Sequence, residues 1–301
     1  MNKIYLIDAS VYVFRAYFSI PDSMTDSEGR PVNAVYGFAG FLCQFLELAQ
    51  PSHIAFAFDQ SLTTSFRNDI YPEYKAQREL PPPELEAQFS ACMRLCKALG
   101  LPTFVDEKYE ADDIIGTLSR QARAQGFASV IVTSDKDLAQ LINDGDLLWD
   151  FAKDRKLDYA GVQDHFGVAP QQIVDYLALV GDKVDNIPGV AGIGAKSASA
   201  LLNHFGSLDH LYEQLDTVPS IKIRGAARIA EALQTHRETA LLSQKLAAIA
   251  YDAPVHDDLQ SLTWKKFDRD ALLSLFDELN FGQGIRGRVD GLAQLQEATH
   301  A

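Results

Sequence analysis

Lys3 to Asp8 is an apolar run that ends in an acid, the pattern of a strand buried on both faces. The shape recurs at His53–Phe58 before Asp59, at Leu101–Val105, at Ala128–Thr133 before Ser134-Asp135-Lys136-Asp137, and at Leu147–Phe151. Between these runs, apolar residues at helical spacing predict helices over Ala9–Phe18, Asn33–Gln50, Glu84–Leu99 and Ala111–Ala124, and a short helix up to Ile142. Pro51, Gly100 and Gly126 stand just beyond three of the ends as stop signals. Strands alternating with helices predict an α/β fold, a mostly parallel central sheet flanked by helices. From about Gln171 the strands stop, and helices are expected over 171–181, 194–205, 207–215, 224–234, 237–249 and 268–279. The expected domains are therefore an α/β core over 1–170 and a helical region over 171–288. The tail over 289–301 has weak periodicity and is assigned no element. Residues 60–83 break the pattern: they are polar and aromatic, carry Arg67, Lys75 and Arg78, and close on Pro81-Pro82-Pro83. A structureless loop of that length is uncommon in a compact domain, so function or a partly helical excursion is expected.

The chain has 301 residues, 47% of them hydrophobic and 23% charged, enough for a sizeable core and typical of a globular protein. No run reaches the roughly 18 apolar residues of a membrane span. Asp8 interrupts the N-terminal apolar run too early for a signal peptide, so a cytoplasmic location away from membranes is expected. Three cysteines, Cys43, Cys92 and Cys96, make no disulfide framework. Cys92 and Cys96 share a helix face, where buried packing is favoured over a metal pair. The net charge of −14 runs against nucleic-acid binding only if the sum matters more than the placement, and it is the local field that a ligand meets.

The placement of the acids is informative. Asp8, Asp59 and Asp135 stand at strand ends, Asp137 follows two residues on, and Glu110, Asp112 and Asp113 open a helix. Singly, each reads as a cap or a partner of the helix dipole. In a parallel sheet the strand ends converge on one rim, where ligands bind. Two carboxylates 4 Å apart repel by about 4 kcal/mol at an effective dielectric near 20, so the set calls for cations. Carboxylates with few histidines or cysteines nearby suit Mg²⁺ or Mn²⁺. Two such ions activate a water and stabilise the leaving oxygen of a phosphodiester. Ser10 and Ser134 have no evident histidine partner, which argues against a serine nucleophile. A second motif, Ile187-Pro188-Gly189-Val190-Ala191-Gly192-Ile193-Gly194-Ala195-Lys196-Ser197, precedes an apolar helix. Its glycines permit tight turns and close approach to a phosphate, and the helix start attracts an anion. It reads as a helix-hairpin-helix turn that grips a DNA backbone through Gly192, Gly194, Lys196 and Ser197.

Together these runs resemble the 5′-nuclease family, which includes the 5′–3′ exonuclease domain of bacterial DNA polymerase I, the phage 5′ exonucleases and the flap endonucleases. The resemblance is carried by LIDAS at 6–10, AFAFD at 55–59, FRNDIYPEYKAQR at 66–78, EADDIIGTL at 110–118, TSDKDLAQL at 133–141 and LVGDKVDNIPGVAGIGAKSA at 179–198. It implies a PIN-like nuclease core, a helical arch at about 60–88 and a C-terminal helix-hairpin-helix region. Asp8, Asp59, Glu110, Asp112 and Asp113 match the acids of a first metal site, with Asp135 shared or adjoining. Asp137, Asp182 and Asp185 match those of a second, and only the resemblance recruits the last two. In the arch, Arg67, Lys75 and Arg78 would steer the scissile phosphate, and Tyr71 and Tyr74 would stack on an unpaired base. K⁺ would be held through carbonyls at Leu179, Val180, Pro188, Val190 and Ile193. The implied activity is structure-selective 5′ nuclease cleavage of DNA flaps, overhangs or junctions, with RNA–DNA hybrids as further substrates, by a stand-alone, monomeric bacterial member without a polymerase domain. The competing reading is a non-catalytic DNA-junction-binding protein that keeps the fold as a scaffold. A phosphatase with an aspartate nucleophile is disfavoured, because Ser10 stands where a second aspartate would follow Asp8.

Overall fold

The computed structural model describes residues 2–60, 64–255 and 258–300. In chain order the elements are β1 (Asn2–Asp8), α1 (Ala9–Ser19), α2 (Asn33–Ala49), β2 (His53–Asp59), α3 (Phe66–Ile70), α4 (Pro83–Ala98), β3 (Thr103–Asp106), α5 (Ala111–Ala124) and β4 (Phe127–Val132). Then come β5 (Leu147–Asp150), β6 (Arg155–Leu157), α6 (Tyr159–Phe166), α7 (Ile173–Val180), α8 (Ala195–Phe205), α9 (Leu208–Glu213), α10 (Ala226–Thr235), α11 (Arg237–Ala247), α12 (Arg269–Glu278) and α13 (Gln283–His300). They form two compact units, one from the described parts of 1–62, 80–134 and 251–301, the other from those of 63–79 and 135–250.

The first unit is built on parallel strands in the order β3-β2-β1-β4. Ile4, Leu6 and Ile7 of β1 and Ile54, Phe56 and Phe58 of β2 are fully buried, as two-sided apolar strands require. Helices α1, α2, α4 and α5 pack around them. The first N–H groups of α2 have no cap from Val32. Gln88 of α4 supplies one, accepting from Ala34 at 2.7 Å. The segment 259–296 closes this unit: Trp264 Nε1 donates to the Leu99 carbonyl at 2.9 Å, and Arg288 pairs with Glu47 at 3.2 Å. The stretch after Arg288, assigned no element from its sequence, continues the single helix α13. Ile285, Val289, Leu292 and Ala293 are buried on it at helical spacing. Gly284, Gly287 and Gly291 dilute that stripe, which is why the pattern looks weak.

The second unit carries the antiparallel pair β5–β6 and helices α6 to α11. Neither β6 nor α6 is visible as apolar periodicity: Arg155 and Lys156 are exposed, and Val162 is the buried residue of α6. The short helix expected up to Ile142 is a 3₁₀ segment, Asp137–Leu141. The 60–83 stretch contains the short helix α3, preceded by a capping box on Ser65 and Asn68. Among the described residues, no helix is long and apolar enough to cross a membrane.

Cys43, Cys92 and Cys96 are buried. Burial pushes the Cys43 thiol up to about 11 and raises those of Cys92 and Cys96 as well. The thiolate is the reactive form, so all three are expected to be inert to a thiol reagent in the folded chain near pH 8 and to react on denaturation. A colourimetric titration that finds a reacting thiol in the native protein would contradict this packing.

Candidate active site

In the first unit the acids are positioned by the ends of parallel strands and the helices they feed. Asp8 ends β1 and caps α1, accepting from Val11 at 3.5 Å; its other oxygen accepts from the Thr133 hydroxyl at 2.8 Å, just past β4. Asp59 ends β2, level with Asp106 on β3. Its amide donates to Ser10 Oγ at 2.9 Å, and its Oδ1 accepts from the Ala111 amide, also at 2.9 Å. A chain of bonds thus runs from α1 through Asp59 to the start of α5, which carries Glu110, Asp112 and Asp113. Asp113 is fully buried and turns back to accept from the Glu110 amide at 3.1 Å, a capping contact. Asp112 lies half-buried one position earlier. The strand-end pattern anticipates these acids; it does not anticipate Ser10 and Thr133, whose hydroxyls orient them.

In the second unit, two loops clasp each other. Asn186 Nδ2 donates to the Glu73 carbonyl at 2.7 Å, Gln77 to the Val184 carbonyl at 2.9 Å, and the Lys75 amide to the Asp185 carbonyl at 3.1 Å. Lys75 and Asn186 both adopt left-handed backbone, with φ of 55° and 57°. Such strain costs on the order of 1 kcal/mol for a non-glycine residue and is retained where the surroundings impose it. The clasp places Arg78 Nη2 2.6 Å from Asp185 Oδ1, with Lys75 Nζ 3.8 Å and the Tyr74 hydroxyl 3.2 Å from Oδ2.

Asp182 pairs across its own loop with Ile187 and hydrogen-bonds to Lys136, whose Nζ is also 3.2 Å from Asp137 Oδ1. Burial opposes ionisation of Asp182, but the Lys136 ammonium and the Val184 amide hold it below the usual carboxylate range. Asp137 goes the other way: burial and the neighbouring Asp135 carboxylate push it up to about 7 despite Lys136. Burial also raises Asp135, opposed by the Asp137 amide that donates to it at 2.8 Å and reinforced by Asp185. Asp135 and Asp137 are thus the two carboxylates of this group whose charge their surroundings oppose. Among the described residues, no three of His, Cys, Asp or Glu stand ready-made around a cation position.

Two residues of the 60–88 segment expected to face a substrate are buried. Arg67 is buried, and its guanidinium donates to the carbonyls of Leu246 at 2.9 Å and Ala248 at 2.8 Å. Tyr74 is 3% exposed, so its ring offers no open face to a base. Tyr71 is half-buried, with its hydroxyl on Glu73 at 2.8 Å. A polar stretch without periodicity gave no sign of this burial.

The hairpin between α7 and α8 is stitched by the Val190 amide to the Leu179 carbonyl at 2.8 Å and the Ile193 amide to the Val190 carbonyl at 3.0 Å. Gly189 has φ +64°, and a Cβ there would lie 2.4 Å from the Gly181 nitrogen, so the turn demands glycine. Gly192 and Gly194 are exposed, with nothing within 4 Å of an added Cβ. No side chain caps α8, and Lys196 is exposed in its first turn. Open space, an uncapped helix start and a lysine together suit an anion.

A family model described as "5'-3' exonuclease, N-terminal resolvase-like domain" matches residues 3–167, and one described as "5'-3' exonuclease, C-terminal SAM fold" matches residues 168–270. The chain belongs to the 5′–3′ exonuclease family. Membership makes it a nuclease by class, as the motifs led one to expect. The chain is 41% identical over 285 residues to DNA polymerase I of Bacillus caldotenax, covering 93% of this chain and 32% of that protein. It is 42% identical over 277 residues to DNA polymerase I of Pseudomonas aeruginosa, covering 92% and 30%. The chain spans about a third of the length of the curated relatives it matches. Among solved structures, the T5 D15 protein co-crystallised with metal ions matches with a TM-score of 0.64 at 19% identity, over 98% of this chain and 99% of that one. The catalytic core of Rad2 in complex with DNA substrate matches with a TM-score of 0.62 at 16% identity, over 96% and 91%. At those identities the likeness shows the shared fold.

Proposed function

We propose that this chain is a metal-dependent, structure-selective 5′ nuclease that hydrolyses DNA near junctions of single strand and duplex, leaving 5′-phosphates. The observation that supports the metal dependence is the second-unit group Asp135, Asp137, Asp182 and Asp185, whose carboxylates are drawn onto cations: Lys136 Nζ lies 3.2 Å from Asp137 Oδ1 and donates to Asp182, and Arg78 Nη2 lies 2.6 Å from Asp185 Oδ1. An all-oxygen, all-carboxylate set fits a hard divalent cation, and Mg²⁺ needs only one or two direct carboxylates because it keeps several waters. We assign Asp137, Asp182 and Asp185 to one metal set, with Asp135 beside Asp137, and Asp8, Asp59, Glu110, Asp112 and Asp113 to another, Asp113 also holding the start of α5. Mg²⁺ or Mn²⁺, when bound, would supply charge for the phosphoryl oxygens and a hydroxide at neutral pH.

The chain's own residues do the rest. Lys75 and Arg78, which lie 3.8 Å and 2.6 Å from Asp185, would meet the scissile phosphate, and Asp185 would be among the residues that hold a metal. Arg67 takes no part, being buried against carbonyls. Gly192, Gly194, Lys196 and Ser197 would hold a duplex backbone, and K⁺ would be held by carbonyls at Leu179, Val180, Pro188, Val190 and Ile193. Tyr71 keeps the stacking role proposed for the arch. The substrates are DNA with 5′ flaps, overhangs or junctions, and the working form is a monomer. The test is a labelled 5′-flap duplex offered beside blunt, nicked and 5′-overhang duplexes with Mg²⁺ or Mn²⁺. Product length reports polarity and cut position, and no cleavage of any substrate with either metal would end this reading.

A further inference from the structure

Lys136 lies between two proposed ligands in the run Ser134-Asp135-Lys136-Asp137, and no role assigned above uses it. Its ammonium bridges carboxylates from two separate stretches of the second unit: Asp137 at 3.2 Å, and Asp182 through a hydrogen bond. The Lys136 side chain is 49% exposed, whereas those of Asp137 and Asp182 are 13% and 7% exposed. The head group therefore reaches inward from solvent onto two largely buried acids.

We propose that Lys136 is an internal counter-ion that holds the second-unit carboxylates together in the metal-free chain and is displaced outward when a divalent cation binds, so that it sets the affinity of that metal set. The inference rests on reading Asp137 and Asp182 as ligands. An ammonium donates up to three hydrogen bonds to the oxygens that a hard cation would coordinate. A divalent ion on the same oxygens repels the ammonium, so binding must include its release. Without Lys136 the metal would meet unmasked carboxylates, and the metal-free chain would hold them against their mutual repulsion.

The test compares the full-length parent with Lys136→Met, Lys136→Gln and Lys136→Arg after treatment with EDTA. Mn²⁺ binding is read by titration calorimetry, and melting is read with and without the metal. Lys136→Met is expected to bind Mn²⁺ on the order of tenfold more tightly than the parent, to melt lower in EDTA, and to gain more on metal addition. Lys136→Gln, which keeps a donor but no charge, is expected to match Lys136→Met. Lys136→Arg, which keeps the charge, is expected to stay within about twofold of the parent. Equal or weaker Mn²⁺ binding by Lys136→Met, or an undiminished metal-free midpoint, overturns the inference and leaves the ligand reading standing. A parent that shows no saturable Mn²⁺ binding removes the ligand reading itself, and the inference with it.

Discussion

An Asp59→Asn chain is expected to cut a labelled 5′-flap duplex roughly a thousandfold more slowly than the parent, while its melting midpoint barely moves. The separation follows from how Asp59 is held. Its Oδ1 accepts from the Ala111 amide, and its own amide donates to Ser10 Oγ. Asparagine keeps an acceptor oxygen for the first contact and leaves the second to the backbone. The negative charge is lost while these two bonds are kept. On the proposed reading a cation at this rim would stabilise transition-state charge by several kcal/mol, and a loss of about 4 kcal/mol is close to a thousandfold in rate. Initial rates at saturating Mg²⁺, with the same preparation melted in parallel, check both halves. A parent-like rate would remove Asp59 from the chemistry.

The largest effect on stability is expected from Arg67→Ala, at about 3 kcal/mol, or a fall of about 6–12 °C in the melting midpoint. The Arg67 guanidinium is buried and donates to two carbonyls, those of Leu246 and Ala248, and lies 4.6 Å over the Phe66 ring. Hydrogen bonds from a charged donor contribute about 1.5–3 kcal/mol each, and truncation leaves both carbonyls without that donor. Arg67→Lys is expected to recover only part of the loss, because one ammonium cannot reproduce the planar fork that serves both oxygens. Thermal melts of the three chains decide the matter. An Arg67→Ala chain that melts like the parent yet fails to cleave would restore Arg67 to the phosphate.

The two predictions mark what could be read from the residues and what could not. Asp59 was legible because a buried strand that ends in an acid is a local pattern, and parallel pairing then fixes where that end lies. Its partners Ser10 and Thr133 were not, since a hydroxyl near a strand end has many ordinary uses. Arg67 was misjudged for a related reason: in a stretch without periodicity nothing separates a buried brace from an exposed cation. Asp182 and Asp185 came only through family likeness. Their approach to Lys136, Lys75 and Arg78 depends on two loops far apart in the chain clasping through backbone carbonyls, which composition and spacing do not encode. Helices α6 and α13 escaped because one buries little and the other interrupts its apolar stripe with glycine.

The late closure of the first unit bears on how the chain must be made. Helix α2 is translated early, yet the Phe281 ring that meets Tyr36 edge-on at 5.6 Å and the Arg288 that pairs with Glu47 come more than two hundred residues later. Strand β1 also waits for β4 before its second edge is paired. Contacts of such sequence separation form slowly. On the ribosome, residues 135–250 are complete before the last cover of the first unit exists. A nascent chain paused ahead of Phe281 would leave the Tyr36 side of α2 in water, a sticky intermediate whose lifetime is set by translation rather than by the fold's final stability.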